Sequence, residues 1–157
     1  MSAVPKEVFS LGKPAANFIG TPRQLLIDGK WVNAESGKTF QVINPATGEQ
    51  VGKVAEADKA DVDKAVKAAR KAFESGAWPS MTKSDRGKLL HRVGDLILKY
   101  ADELAELESL DNGKPVVIAR HADVALAADI FHYMSGWATK RHGLTIPFDC
   151  MYTPGVQ

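Results

Sequence analysis

Few residues of this chain have types and spacing that could do chemistry. Cys150 is the only thiol. A nucleophilic cysteine needs a neighbouring base or a helix N-terminus to stabilise its thiolate. Asp149 and Met151 supply neither, and an adjacent carboxylate opposes ionisation, so Cys150 reads as a small filler residue on an extended segment. Asp111 falls where a helix should end, a place at which a negative charge opposes the helix dipole and invites a counter-ion. The four histidines, His91, His121, His132 and His142, show no mutual spacing of the i, i+4 kind that builds a metal site on one helix. His91 and His142 read as solvated helix residues. Asp58, Asp61 and Asp63 lack the glycine-containing loop of a calcium site and read as helix N-terminal charge.

The elements that must position these residues follow from periodicity and turn chemistry. Pro5, Gly12, Pro14, Gly20 and Pro22 interrupt every pattern in residues 1–24, so that stretch reads as a loose arm. Leu25 to Val32 reads as a tight hairpin around Asp28-Gly29, a pair suited to the positive φ angles of a type I′ turn. Thr39 to Ile43 is a second strand, Asn44 to Gly48 a turn, and Gln50 to Ala55 a returning strand. Val62, Ala65, Val66, Ala69 and Phe73 then share one face of a helix capped by Asp58 and ended by Gly76. A second long helix starts at Thr82 or Ser84. Its stripe runs Leu89, Leu90, Val93, Ile97, Tyr100, Leu104 and Leu107, and Asn112-Gly113 with Pro115 stops it. A third helix covers about Val117 to Arg141, closed by Gly143, and Leu144 to Phe148 is extended.

At 157 residues the chain is long enough for one domain. Its net charge of +1 gives no electrostatic footprint for nucleic acid. No apolar run approaches the roughly 20 residues that span a bilayer, and neither a signal-peptide core nor an Arg-rich leader pattern is visible. A single cysteine suits a reducing compartment, and the expectation is a cytoplasmic protein. Three amphipathic helices carry more apolar surface than the short strands can cover, so part of it should face a missing partner.

Several stretches, in order, resemble the aldehyde dehydrogenase superfamily. They are Ile27-Asp28-Gly29-Lys30-Trp31, Ile43 to Glu49 (Ile-Asn-Pro-Ala-Thr-Gly-Glu), Val62 to Phe73, and Arg86-Gly87-Lys88-Leu89-Leu90. Leu110-Asp111-Asn112-Gly113-Lys114-Pro115, Gly136-Trp137-Ala138 and His142 to Pro147 complete the set. The resemblance implies an α/β fold, present here as its N-terminal part and incomplete. Short strands and three helices would belong to the cofactor-binding domain over residues 25–141, preceded by an arm at 1–24. Residues 142–157 would begin the oligomerisation segment.

The same resemblance implies an NAD- or NADP-dependent enzyme that oxidises a small-molecule aldehyde, an aromatic one such as phenylacetaldehyde being the expectation. In that family a cysteine forms a thiohemiacetal, hydride passes to the nicotinamide, and a glutamate-activated water releases the acid. The family's asparagine, glutamate, cysteine and glycine-rich turn would all lie beyond residue 157, so no catalytic or cofactor-binding residue is assigned here. The resemblance further implies a structural Na⁺ or K⁺ held by Asp111 and strand carbonyls at Val42 and Ile43, against the alternative of a plain capping aspartate. It places Ala122, Asp123 and Leu126 at the substrate-tunnel entrance, and it implies a homo-oligomer, dimer or tetramer. The rival reading is a non-catalytic oligomerisation or interaction module.

Overall fold

The computed structural model describes residues 11–145. The described order is α1 (Lys13–Ile19), β1 (Leu25–Ile27), β2 (Lys30–Val32), β3 (Thr39–Ile43), β4 (Gln50–Ala55), α2 (Lys59–Ser75), α3 (Ala77–Ser80), α4 (Lys83–Lys99) and α5 (Ala101–Asn112), then α6 (Val116–Ile118), a π-helical stretch (Ala119–Asp123) and α7 (Val124–Trp137).

The strands form two separate antiparallel hairpins. In β1–β2, Leu26 faces Trp31, and Asp28 and Gly29 have φ of 52° and 72°. Both central residues are therefore left-handed, as a type I′ turn requires. In β3–β4, Val42 pairs with Gly52 but Ile43 pairs with Gln50, so Val51 is the extra residue of a bulge. Arg23 runs parallel beside Val54, its N–H donating to the Lys53 carbonyl.

Several expectations from the sequence need correction. The arm is not uniformly loose, because Lys13–Ile19 is helical. Pro14 sits in the first turn, where its missing N–H loses nothing. The Gly12 N–H donates to Glu106 of α5 at 2.9 Å, and Ala15 is fully buried. The second long helix is also broken. Tyr100, at φ −104° and ψ 21°, separates α4 from α5 and turns α5 so that Ala101 and Ala105 pack on Ala119 and Val124. Small side chains let these segments approach closely, and that contact outweighs the uninterrupted apolar period read from sequence.

The third helix begins at Val116, contains a π-helical turn, and ends at Trp137, before the expected Arg141. His142 consequently lies outside any helix. Leu144 is 92% exposed, and the rest of the expected strand, Ile146 to Phe148, is outside the described residues, as is Cys150.

The buried apolar residues form a small core made mostly of alanines, with no large side chain fully buried among the described residues. Leu26, Trp31, Val66, Phe73 and Tyr133 are all more than half exposed. No helix of the described residues is long and apolar enough to cross a membrane.

Candidate functional site

The C-terminal end of α5 is brought to the β3–β4 hairpin by a tight seat. Gly113 caps α5 at φ 80°. A Cβ there would lie 3.0 Å from the Pro45 ring, so glycine is required by both the backbone angle and the space. The turn it meets is set by Asn44, whose Oδ1 accepts from the Ala46 N–H at 2.9 Å, with Gly48 at φ 75°. The juxtaposition places Asp111 beside the strand.

A cavity of about 240 Å³ opens between α1, the hairpin and α5. Its walls include Phe18, Ile19, Val42, Leu107, Leu110 and Asp111, so two of the three residues expected around a cation share it. Ile43, the third, is not in the wall. It is 44% exposed and follows the register shift in β3–β4. Asp111 is the one carboxylate of the lining, which also includes Arg23 and Lys53. Arg23 is held at the wall by its neighbours: its Nη2 donates to Thr21 Oγ1 at 2.6 Å and its guanidinium lies 4.1 Å from the centre of the Phe18 ring.

Ala122, Asp123 and Leu126 span the π-helical stretch and the start of α7. Ala122 is exposed and Leu126 is 60% exposed, one helical turn apart on an open surface. Asp123 is half-buried and turned onto Lys114, whose Nζ donates to Asp123 at 2.5 Å and to Glu108 at 3.1 Å. The bond to Asp123, then that to Glu108, holds the Lys114 ammonium above its ordinary pKa. This pair ties the loop after α5 to the π-helical turn. Periodicity gave no sign of that turn, and such turns often accompany functional sites.

The structure brings together two histidines and a carboxylate that the sequence left apart. His91 and Asp95 lie one turn apart on α4, and His132 reaches them from α7. His132 Nε2 is 3.1 Å from Asp95 Oδ1, His91 Nε2 is 4.0 Å from the same oxygen, and the two rings are 4.4 Å apart. The i, i+4 relation of His91 and Asp95 was legible, but only a comparison extended to carboxylates would have found it. The arrival of His132 depends on tertiary packing. His121 and His142 remain apart and exposed.

Asp58 and Asp61 are helix-capping residues, as the sequence implied. Asp58 accepts from the Ala60 N–H at 2.9 Å, and Asp61 from the Asp58 N–H at 3.2 Å. Asp61, 2% exposed, also accepts from the Glu35 N–H with both oxygens, so it fixes the loop after β2 to α2. Its position deep in the packing was not visible in the sequence.

A sequence model of the aldehyde dehydrogenase family matches residues 31–155. The human mitochondrial aldehyde dehydrogenase is 52% identical over 127 residues, covering 80% of this chain and 25% of that protein. The mitochondrial benzaldehyde dehydrogenase of Antirrhinum majus is 47% identical over 126 residues, covering 80% of this chain and 24% of its own length. Among solved structures, the NAD⁺ complex of the aldehyde dehydrogenase from Bacillus cereus superposes with a TM-score of 0.84 at 43% identity, covering 89% of this chain and 28% of that one. The chain thus spans about a quarter of the length of the curated relatives it matches.

Proposed function

Because this chain belongs to the aldehyde dehydrogenase family, we propose that it is the N-terminal scaffold of an enzyme that oxidises an aldehyde to the carboxylic acid with NAD or NADP as hydride acceptor. The observation that carries this reading is the superposition of 89% of the chain on an aldehyde dehydrogenase solved with NAD⁺. An aromatic substrate fits the 47% identity to a benzaldehyde dehydrogenase.

The described residues do not themselves fit the cofactor. The one described junction from a strand into a long helix, β4 to α2, runs Glu56-Ala57-Asp58 without glycine. Backbone N–H groups there already donate to Asp58 and Asp61, and their two carboxylates would repel a pyrophosphate. No catalytic step is assigned to the described residues.

The chain's own contribution is positional. The cap at Gly113 and the turn at Asn44 bring Asp111 near β3, and Asp111 with the Val42 and Ile43 carbonyls would offer oxygen ligands to Na⁺ or K⁺. The Lys114–Asp123 pair fixes the helix whose exposed Ala122 and Leu126 would border the substrate entrance. Residues 142–157 would join subunits into a dimer or tetramer, in a reducing compartment such as the cytoplasm.

The test is NADH or NADPH formation with aromatic and aliphatic aldehydes, on the complete polypeptide and on residues 1–157 alone, each sized by light scattering. Oligomeric, active complete polypeptide and inactive residues 1–157 are expected. Turnover by residues 1–157 that survives Cys150→Ala, or an inactive complete polypeptide, would refute the scaffold reading; a monomeric active enzyme would remove the assembly role alone. For the cation, Asp111→Asn should abolish the excess stabilisation by KCl or NaCl over choline chloride, since a ligand stabilises only the state that binds it. An unchanged response leaves Asp111 an ordinary capping residue.

A further inference from the structure

We propose that His91, Asp95 and His132 form a binding site for one divalent transition-metal ion of the zinc class, clamped across the seam between α4 and α7. Three observations carry it. First, the potential ligand atoms of the three residues all lie within 4.8 Å of one another. At a metal–ligand distance of about 2.1 Å, tetrahedral ligands stand roughly 3.4 Å apart. The separations of 3.1 and 4.0 Å from Asp95 Oδ1 to the two Nε2 atoms bracket that value. Small rotations of His91 and Asp95, whose side chains are 58% and 59% exposed, close the remainder.

Second, the third ligand is seated rather than free. The His132 side chain is only 25% exposed. It lies against α4 at Gly94, where an added Cβ would come within 2.4 Å of the imidazole. A glycine inside a helix costs up to about 1 kcal/mol against alanine, and here it makes room for that ring. One anchored imidazole facing two adjustable ligands on the neighbouring helix is a workable way to build a site.

Third, the donor chemistry is selective. Two imidazoles and one carboxylate suit zinc, copper and nickel rather than magnesium or calcium, which prefer all-oxygen shells. His91 and Asp95 stand at i, i+4 on one helix face, a spacing that lets both reach one ion. Three protein ligands at a partly exposed place leave a coordination position for water. A metal ion on His132 Nε2 would take the place of its 3.1 Å contact with Asp95 Oδ1. This site lies on the α4–α7 surface, away from Asp111 and from Ala122, and it stands or falls independently of the enzymatic reading.

The experiment titrates the full chain carrying Cys150→Ser, which removes the thiol of the sequence as a competing ligand, with ZnCl₂ by calorimetry. The cobalt(II) electronic spectrum is recorded in parallel. One equivalent of Zn²⁺ should bind, MgCl₂ should not compete, and the cobalt spectrum should show the d–d bands of a low-coordinate nitrogen–oxygen site, lost in His91→Ala. His91→Ala and His132→Ala should each weaken Zn²⁺ binding by roughly tenfold or more. His91→Ala changes an exposed residue, so its effect can be read even if His132→Ala loosens the seam. Absence of Zn²⁺ binding, binding unchanged in His91→Ala, or a cobalt spectrum unchanged in His91→Ala would overturn the proposal.

Discussion

α2 and the α4–α7 pair are both long-helix structures, yet they are held in opposite ways. α2 is defined almost entirely by its own ends. Asp58 and Asp61 form a reciprocal capping box, and Asp61 is pinned to the Glu35 backbone. Its apolar stripe, by contrast, stays largely in water: Val62, Val66 and Phe73 are 52%, 61% and 73% exposed. At the α4–α7 seam the termini matter less and the contact matters more. Gly87 and Gly94 of α4 are buried, Gly87 against Ser135 and Ala138 and Gly94 against His132 and the fully buried Ala128 of α7. Amphipathic period therefore says which face a helix would bury, not whether anything in the same chain covers it.

The comparison makes α4 the place where one atom should matter most. A Cβ on Gly87 would stand 2.8 Å from the Ser135 carbonyl oxygen, a backbone atom that cannot rotate away. On an ordinary helix face, replacing glycine with alanine gains up to about 1 kcal/mol. Here the sign should reverse. Gly87→Val should lower unfolding free energy by about 3 kcal/mol, the upper range for overpacking, read as a fall in the urea midpoint with unchanged slope. A variant as stable as the parent would mean that α7 shifts freely on α4 and that the seam is not close-packed.

The same contrast explains what could be read without coordinates. Both hairpins were legible because Asp28-Gly29 and Asn44 to Gly48 fix their turns locally. The start of α2 and the cap at Gly113 were legible for the same reason. The break at Tyr100 was not, because the apolar period continues through it and only the packing of Ala101 and Ala105 reveals the turn. The π-helical stretch Ala119–Asp123 is likewise set by a contact, with Ala119 fully buried. Of the site residues, Asp111 and Val42 meet in one cavity while Ile43 stays outside it, as neighbours on a strand face opposite sides. His132 could not have been joined to His91 and Asp95 by any spacing rule, since 37 residues separate it from Asp95.

The smallest effect is expected on the α2 stripe, and it is the more demanding test of the contrast. Full burial of a valine or phenylalanine side chain is worth roughly 1.5–3 kcal/mol. Val66 and Phe73 retain most of their exposure in the folded chain, so they recover only a fraction of that. Serine has a helix propensity close to that of either residue, and the caps at Asp58 and Asp61 are untouched by the change. Val66→Ser and Phe73→Ser should therefore each shift the unfolding free energy of residues 1–157 by no more than about 0.5 kcal/mol, the usual range for surface positions. Removing two apolar groups from a water-facing stripe should also lower concentration-dependent light scattering. A loss of about 2 kcal/mol from either substitution, the size of a truncated core side chain, would show that the stripe is covered in solution, and the distinction between a helix held by its ends and a helix held by its face would not survive.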